Sequence, residues 1–184
     1  MKTAGEPAHG FDAQGRTLWV SAAVKILLIL RHAKSSWDDS TLDDHERPLN
    51  SRGKRDAPLI ARFARDEGLG PELILSSDAV RAHLTAVAMA DATGGQLLVD
   101  PRLYHATSPE ILATIPNVVP DDAGTVMIVG HNPGLEELIV QLTGEWETLP
   151  TAALAQIDLP ITGWSELNSA TRGTLIGVWR PKGL

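Results

Sequence analysis

The stretch that decides the fold is AVKILLILRHAKSSW, residues 23–37, because it carries a run of aliphatic side chains directly into a polar cluster. A short apolar run of this kind is typical of a parallel strand that is buried on both faces. The run stops at Arg31-His32, and the polar loop RHAKSSWDDSTLDDHERPLN follows before the next periodic segment. Loops of this length are often functional. The sequence therefore raises the question of what an arginine and a histidine at a strand end would bind.

Length and composition indicate one ordinary globular domain. The chain has 184 residues, of which 43% are hydrophobic, enough to form a core without covalent links. It contains no cysteine, which excludes a disulfide framework and a thiolate zinc site. Its formal net charge of −7 is unfavourable for general nucleic-acid binding, since phosphate backbones require clustered lysine and arginine. A local cationic pocket for one phosphate is compatible with this charge.

The first 23 residues are rich in glycine, alanine and polar side chains and show no sustained period. We predict that residues 1–23 form an extension outside the core and that residues 24–184 form a single domain. One hypothesis is that the native chain starts near Val24. No apolar segment follows Lys2 as in a signal peptide, and no apolar run reaches the roughly 18 residues of a membrane span. We therefore expect a cytoplasmic protein that binds neither membranes nor nucleic acid.

Four strand–helix units follow one another along the chain, and two further strands come after them. Helices on both faces of a mostly parallel sheet, with the late strands adding an antiparallel edge, give a three-layer α/β/α sandwich. The patterns predict strands over 23–30, 71–77, 96–99, 125–130, 153–160 and 173–181, and helices over 51–68, 77–95, 108–119 and 133–144.

Three polar clusters follow predicted strands, at the sheet edge where open parallel sheets bind their ligands. Arg31-His32 follows the first strand, Ser76-Ser77-Asp78 with Arg81 the second, and Gly130-His131-Asn132-Pro133 the fourth. Positive side chains at strand ends, facing helix N-termini, favour a dianion such as a phosphoryl group. Each cluster alone is ordinary, as a loop, a solvated helix residue or a turn. Together they fall in the order that gathers them around one site.

Four motifs in this order resemble the histidine phosphatase superfamily. They are LRHAKSSW, RPLNSRGKRDAP, SSDAVRAHLTA and VGHNPGLEEL, and the likeness extends from Lys25 to the C-terminus. Within the superfamily the chain is similar to the small SixA-type phosphohistidine phosphatases. Most members have glycine after the first histidine, whereas this chain has Ala33, as the SixA-like branch commonly does. The resemblance implies a phosphoglycerate mutase-like fold.

The resemblance also implies roles for four side chains. His32 resembles the nucleophile, whose neutral ring attacks phosphorus and carries the phosphoryl group as an intermediate. Arg31 and Arg81 are similar to the two arginines that clamp the phosphate, because guanidinium matches phosphoryl oxygens. His131 resembles the second histidine, which donates to a phosphoryl oxygen when protonated, so its pKa should depend on bound phosphate. Because these cations belong to the protein, we expect neither a metal nor another cofactor.

The proton donor for the leaving group departs from the family pattern. Larger members carry a glutamate in L-x-E after the third strand, where this chain has Leu103-Tyr104-His105. His105 is therefore a candidate donor, with an ordinary loop histidine as the alternative. Glu110, Glu136 and Glu137 are weaker candidates, since acidic residues in a first turn favour the start of a helix.

Further side chains lie close in sequence to these motifs. Lys34 and Ser35 either contact phosphoryl oxygens or shape the rim, and Asn132 is a candidate substrate contact that could also hold its own loop. Trp37 either lines the mouth of the pocket or covers the edge of the core. His45 has no motif partner and is interpreted as a surface residue.

Three functions are open at this point. A phosphatase acting on phosphohistidine in a protein partner fits the missing glutamate, since the phosphorus–nitrogen bond is labile, and fits short connections that leave the pocket open. A small-molecule phosphomonoesterase on the same scaffold should need an acid for its poor leaving group, and a mutase should need more enclosing insertions. A non-catalytic phosphate-binding or phosphoprotein-binding module is disfavoured by the presence of both arginines and both histidines. Inorganic phosphate is the expected product of either phosphatase.

Overall fold

The protein is described here in a computed structural model that covers residues 9–11, 17–19 and 24–184. The first two ranges are short strands, β1 (His9–Phe11) and β2 (Thr17–Trp19), which pair antiparallel in a sheet of their own. The rest of the predicted 1–23 extension lies outside the described residues. Its separation from the core and the single domain over 24–184 stay predictions.

A six-stranded sheet forms the centre of the molecule, and it confirms the predicted fold class. The strand order is β5-β4-β6-β3-β7-β8, in which β5, β4, β6 and β3 are parallel while β7 runs antiparallel to both β3 and β8. All six strands lie where the aliphatic runs predict them. Their bounds are β3 (Lys25–Arg31), β4 (Leu73–Ser76), β5 (Gln96–Val99), β6 (Thr125–Gly130), β7 (Leu154–Leu159) and β8 (Thr174–Trp179).

Four helices cover the two faces of this sheet. Successive strand side chains point to opposite faces, so Leu28 and Leu30 pack with one helix pair while Leu27 and Ile29 pack with the other. All four are fully buried, which explains why this strand carries no polar residue between Lys25 and Arg31. The helices are α1 (Ser51–Asp66) and α2 (Val80–Thr93) on the first face, and α3 (Ser108–Val118) and α4 (Gly134–Thr143) on the second. None of these described helices has the length and apolar character needed to cross a membrane.

The strand order sets where the polar clusters emerge. Strand β6 lies between β4 and β3, with Ser76 opposite Val129 and Arg31 opposite Gly130. The chain therefore leaves three adjacent strands at the same edge of the sheet. This register places the residues that follow each strand side by side.

Two glycines allow helices to approach this edge closely. A Cβ at Gly53 would overlap the carbonyl oxygen of Lys34, and a Cβ at Gly134 would overlap that of Ala106. Helix α1 therefore packs against the loop after β3, and the start of α4 packs against the loop that contains His105. The glycines in two of the sequence motifs have a packing role next to the site.

Candidate active site

The ring of His32 is buried and held in one neutral form. Its Nδ1 lies 2.8 Å from the carbonyl oxygen of Ala33, which can only accept a hydrogen bond. Its Nε2 accepts a long hydrogen bond of 3.4 Å from Nε of Arg81, which can only donate. Both contacts require a proton on Nδ1 and a lone pair on Nε2. Burial lowers the pKa of His32 to about 4, and nearby Arg81 and Arg31 act in the same direction although the Ala33 carbonyl opposes them.

The backbone around His32 is fixed by contacts to helix α2. The amide of Ala33 donates to Oγ1 of Thr85 at 3.0 Å, and the same hydroxyl donates to the carbonyl oxygen of Arg81 at 2.7 Å. Ala33 is completely buried, so the carbonyl that orients the imidazole has little freedom to move. The nucleophile candidate and Arg81 are thus tied to the same turn of one helix.

His131 lies directly behind His32. The two ring centroids are 5.0 Å apart, and Nδ1 of His131 lies 3.4 Å from Nη2 of Arg81. Because the guanidinium donates, Nε2 carries the proton and donates to Oγ of Ser77 at 2.9 Å. Burial lowers the pKa of His131 to about 2, and the charges of His32 and Arg81 add to this effect.

Arg31 has a buried donor without an acceptor in the described part of the chain. Its Nη1 donates to the carbonyl oxygen of Leu149 at 2.9 Å, whereas Nε has no partner there. Burial lowers the pKa of Arg31, which Glu136 opposes. Nδ2 of Asn132 donates to the same Leu149 carbonyl at 3.1 Å. Asn132 and Arg31 therefore share the Leu149 carbonyl as an acceptor, and Nε of Arg31 is a buried donor without a partner among the described residues.

We call Arg31, His32, Arg81 and His131 the strand-end cluster. The structure brings all four together at the predicted edge of the sheet. A cavity of about 180 Å³ opens onto three of them, while His131 and Asn132 are outside its lining. Lys34 at the rim is exposed, and Ser35 is buried. The lining residues are Arg31, His32, Lys34, Ser35, Trp37, Arg47, Arg81 and Thr151.

A carboxylate that the motifs did not identify lies at the centre of a second group. Oδ2 of Asp44 accepts hydrogen bonds from Nη2 of Arg81 at 2.7 Å and from the hydroxyl of Tyr104 at 2.9 Å, and lies 3.3 Å from Nε2 of His105. Oδ1 accepts from Nη1 of Arg47 at 2.6 Å. Although partial burial opposes ionisation, the donors from Tyr104, His105 and Arg81 outweigh it and hold the pKa of Asp44 well below its usual range. We call Asp44, Arg47, Tyr104 and His105 the loop cluster.

His105 has an unusual backbone conformation within the loop cluster. Its φ of 51° is in the left-handed region, which few residues other than glycine adopt. The ring stacks on His131 with centroids 4.9 Å apart, and half of the side chain is exposed. His45, which was expected at the surface, has a 39% exposed side chain that lies 2.9 Å from Asp78 and packs edge-on against Tyr104.

The other carboxylates considered as proton donors are bound to backbone or exposed, although Glu136 lies close enough to Arg31 to act on its pKa. Glu110 accepts from the backbone amide of Thr107 at 2.8 Å and closes the capping box of α3. Glu136 accepts from the amide of Leu149 at 2.7 Å, and Glu137 is exposed in the first turn of α4. Within the described ranges, no group of three or more histidine, aspartate or glutamate side chains could hold a metal ion.

Comparisons with known proteins agree with this arrangement. The family model for the histidine phosphatase superfamily (branch 1) matches residues 27–106. An uncharacterized chloroplastic protein of Arabidopsis thaliana is 35% identical over 168 residues, which cover 86% of this chain and 76% of the relative. The chain therefore belongs to the histidine phosphatase superfamily.

Similarity to solved structures shows to which branch of the superfamily the chain belongs. A candidate phosphohistidine phosphatase SixA from Agrobacterium tumefaciens is 31% identical with a TM-score of 0.72, covering 85% of this chain and 99% of its own. Its counterpart from Nakamurella multipartitia is 25% identical with a TM-score of 0.78, covering 87% and 98%. Within the superfamily this chain is of the SixA type. A mycobacterial glucosyl-3-phosphoglycerate phosphatase shares the fold, at 19% identity and a TM-score of 0.63 over 85% and 99% of the two chains.

Proposed function

We propose that this protein is a phosphatase that removes the phosphoryl group from phosphohistidine in a protein partner and carries it on His32. The proposal depends on one observation, namely the neutral protonation state of the His32 ring. Its Nδ1 is held by a backbone carbonyl, and its Nε2 lone pair lies beside Arg81 at a small cationic cavity. A histidine that stays neutral well below pH 6.5 is a nucleophile ready to attack phosphorus.

The reaction has two displacements at phosphorus. In the first, the Nε2 lone pair of His32 forms a bond to phosphorus while the phosphorus–nitrogen bond of the substrate breaks, and the leaving imidazole takes a proton. In the second, water attacks the phosphorylated His32 and releases inorganic phosphate. Arg81 already points Nε towards the attacking nitrogen, and Arg31 lines the cavity and has a further donor without a partner among the described residues. Such donors stabilise the oxygens of the transferring group once Arg81 exchanges its contacts with Asp44 for them.

His131 is proposed to respond to the bound phosphoryl group. In the free site its pKa is held near 2 by burial and by neighbouring charges, so the ring is neutral. A dianion beside it would reverse the sign of the local field and favour protonation. The protonated ring would then donate to a phosphoryl oxygen, as the resemblance implies.

His105 is proposed as the proton donor, and Asp44 as the residue that positions it. Asp44 is ionised and lies 3.3 Å from Nε2 of the His105 ring. This contact fixes the position of the His105 ring, so that the ring is placed to pass a proton to the leaving group. The same carboxylate holds Arg81, so one residue links the donor to the phosphate clamp.

A specific observation also favours the second candidate, a small-molecule phosphomonoesterase. The pairing of His105 with Asp44 supplies a donor that an alkyl phosphate would need. Two features favour the protein substrate instead. Half of the His105 side chain is exposed, and the cavity is small, so the site is shallow. A shallow site suits a phosphoryl group presented on a macromolecular surface.

A substrate panel tests the choice between these candidates. The protein is incubated with a phosphohistidine peptide, a phosphohistidine protein, sugar phosphates and nucleotide phosphates, with and without excess chelator. We expect the phosphohistidine substrates to be cleaved fastest and the chelator to have no effect, since Arg31 and Arg81 supply the positive charge. Faster cleavage of aliphatic esters would favour the second candidate, and a loss restored by zinc or magnesium would refute metal independence. The cytoplasmic location stays a prediction.

A further inference from the structure

Trp37 is held rigidly although it is largely exposed. Its side chain is 72% exposed, yet the guanidinium carbon of Arg47 lies 3.1 Å from the centre of the indole. Arg47 is itself fixed, because it donates to the carbonyl oxygen of Ser36 at 2.8 Å, to Oγ of Ser35 at 2.6 Å and to Asp44 at 2.6 Å. Each nitrogen of the buried Arg47 guanidinium thus donates a hydrogen bond, and the guanidinium packs against one face of the indole. The opposite face is open to solvent.

The position of Trp37 connects it to the catalytic cavity. Trp37 lines the cavity together with His32 and Arg81, and it belongs to neither hydrophobic core cluster of the described residues. Single exposed apolar side chains are common on protein surfaces, and Trp37 differs from them because it lines the cavity beside the proposed nucleophile. Exposed Lys34 lies on one side in the sequence and exposed Asp38 on the other. Tryptophan is among the residues most often found at interaction hot spots.

The size of the cavity determines what must lie on the rim. Pockets that enclose a drug-sized ligand are roughly 300–1,000 Å³, whereas this cavity is about 180 Å³. It has room for a phosphoryl group and the ring that bears it, but not for the flanking polypeptide. The residues next to a phosphohistidine must therefore lie across the rim, where the open face of Trp37 is.

We propose that Trp37 is the docking contact for the polypeptide that flanks the phosphohistidine, and that it packs against an apolar side chain next to the modified residue. This proposal rests on the proposed function and adds a substrate preference to it. The partner is a protein whose phosphohistidine has an aliphatic neighbour on the surface. The stacked arrangement means that the indole loses little conformational freedom on binding, which favours affinity.

The test compares three substrates and three variants. The substrates are phosphoramidate, which has no flanking chain, and a short synthetic peptide with leucine beside a phosphohistidine, with a second peptide carrying glycine in place of leucine. The variants are Trp37→Ala, Trp37→Phe and Trp146→Ala. Trp146 is the matched control, since it is 68% exposed but does not line the cavity.

We expect Trp37→Ala to lower the ratio of kcat/KM for the leucine peptide over phosphoramidate by roughly tenfold, as hot-spot residues do. Trp37→Phe should recover much of that loss, Trp146→Ala should keep the ratio of the unchanged protein, and the glycine peptide should lose its advantage over phosphoramidate. An unchanged ratio in Trp37→Ala would refute the contact. Equal losses on both substrates would mean that Trp37 only shields Arg47. If the unchanged protein cleaves neither peptide, the proposed function itself fails, which is a separate result.

Discussion

The strand-end cluster and the loop cluster differ in how the chain holds them. In the first, His32, Arg81 and His131 are at most 8% exposed, and each ring or guanidinium contacts backbone or buried partners. In the second, Arg47 is buried, but the side chains of Asp44 and His105 are 42% and 52% exposed. The loop cluster depends on hydrogen bonds between side chains from loops that are far apart in sequence. The same site thus joins a rigid centre to a more adjustable border.

This difference assigns separate tasks to the two clusters. Buried donors that do not move are suited to stabilising charge at phosphorus, where small displacements reduce the rate strongly. Exposed side chains at the border are suited to the leaving group, which differs between substrates. We therefore expect substitutions in the strand-end cluster to reduce turnover of every substrate, and substitutions in the loop cluster to reduce turnover selectively.

The largest effect is expected for His32→Ala. Removal of a nucleophile typically costs several orders of magnitude, so we predict that turnover falls by roughly 10⁴-fold or more on all substrates. The fold should survive, which thermal unfolding followed by circular dichroism would check. Unchanged turnover in a folded variant would eliminate His32 as the nucleophile.

The second-largest effect is expected for Arg81→Lys. This variant tests whether the phosphate clamp depends on the shape of the guanidinium and not only on its charge. Lysine keeps the positive charge but lacks the planar fork that donates to His32 and to Asp44. We predict a fall in kcat of roughly 10²-fold to 10³-fold on all substrates. The variant is measured on phosphoramidate and on an alkyl phosphate. A change confined to KM would show that Arg81 contributes binding but no stabilisation of the transition state.

A smaller and selective effect is expected for His105→Asn. Asparagine tolerates the left-handed backbone at this position but cannot donate a proton to a leaving group. We predict that kcat falls by roughly 10²-fold on an alkyl phosphate and by much less on phosphohistidine, whose bond to nitrogen is labile. The ratio of the two rates is the measurement. Equal losses on both substrates would contradict the separation of tasks.

The smallest change is a protonation shift within the strand-end cluster. The pKa of His32 is near 4, so the nucleophile should stay neutral down to about pH 5 and become protonated below about pH 4. Inorganic phosphate should raise the pKa of His131 from its low value, because the bound anion favours the charged ring. Titration of the ring resonances by NMR, with and without phosphate, measures both values. A midpoint for His32 near 6.5 would contradict the burial argument.

Sequence reasoning predicted the strand-end cluster well because backbone topology determines it. Aliphatic runs locate β3, β4 and β6, and parallel pairing forces Arg31, His32 and His131 to the same edge. The four predicted helices likewise follow from periodicity and from their glycine and proline boundaries. This part of the site requires no knowledge of side-chain conformations.

The loop cluster was not predictable in the same way. Asp44 occurs among several acidic residues in a polar loop, and no spacing distinguishes it from Asp43 or Glu46. Its role depends on the path of the loop, which brings it to Tyr104 and Arg81. The one available signal was the length of the loop, which indicates function without identifying a residue.

The central claim is that His32 carries the phosphoryl group within the strand-end cluster. Rapid quenching at alkaline pH, followed by mass spectrometry of peptides under conditions that preserve phosphohistidine, tests it directly. We predict a phosphorylated peptide that contains His32 during turnover and its absence from His32→Ala. Turnover without any phosphorylated protein, or phosphate on His131 or His105 instead, would contradict the account.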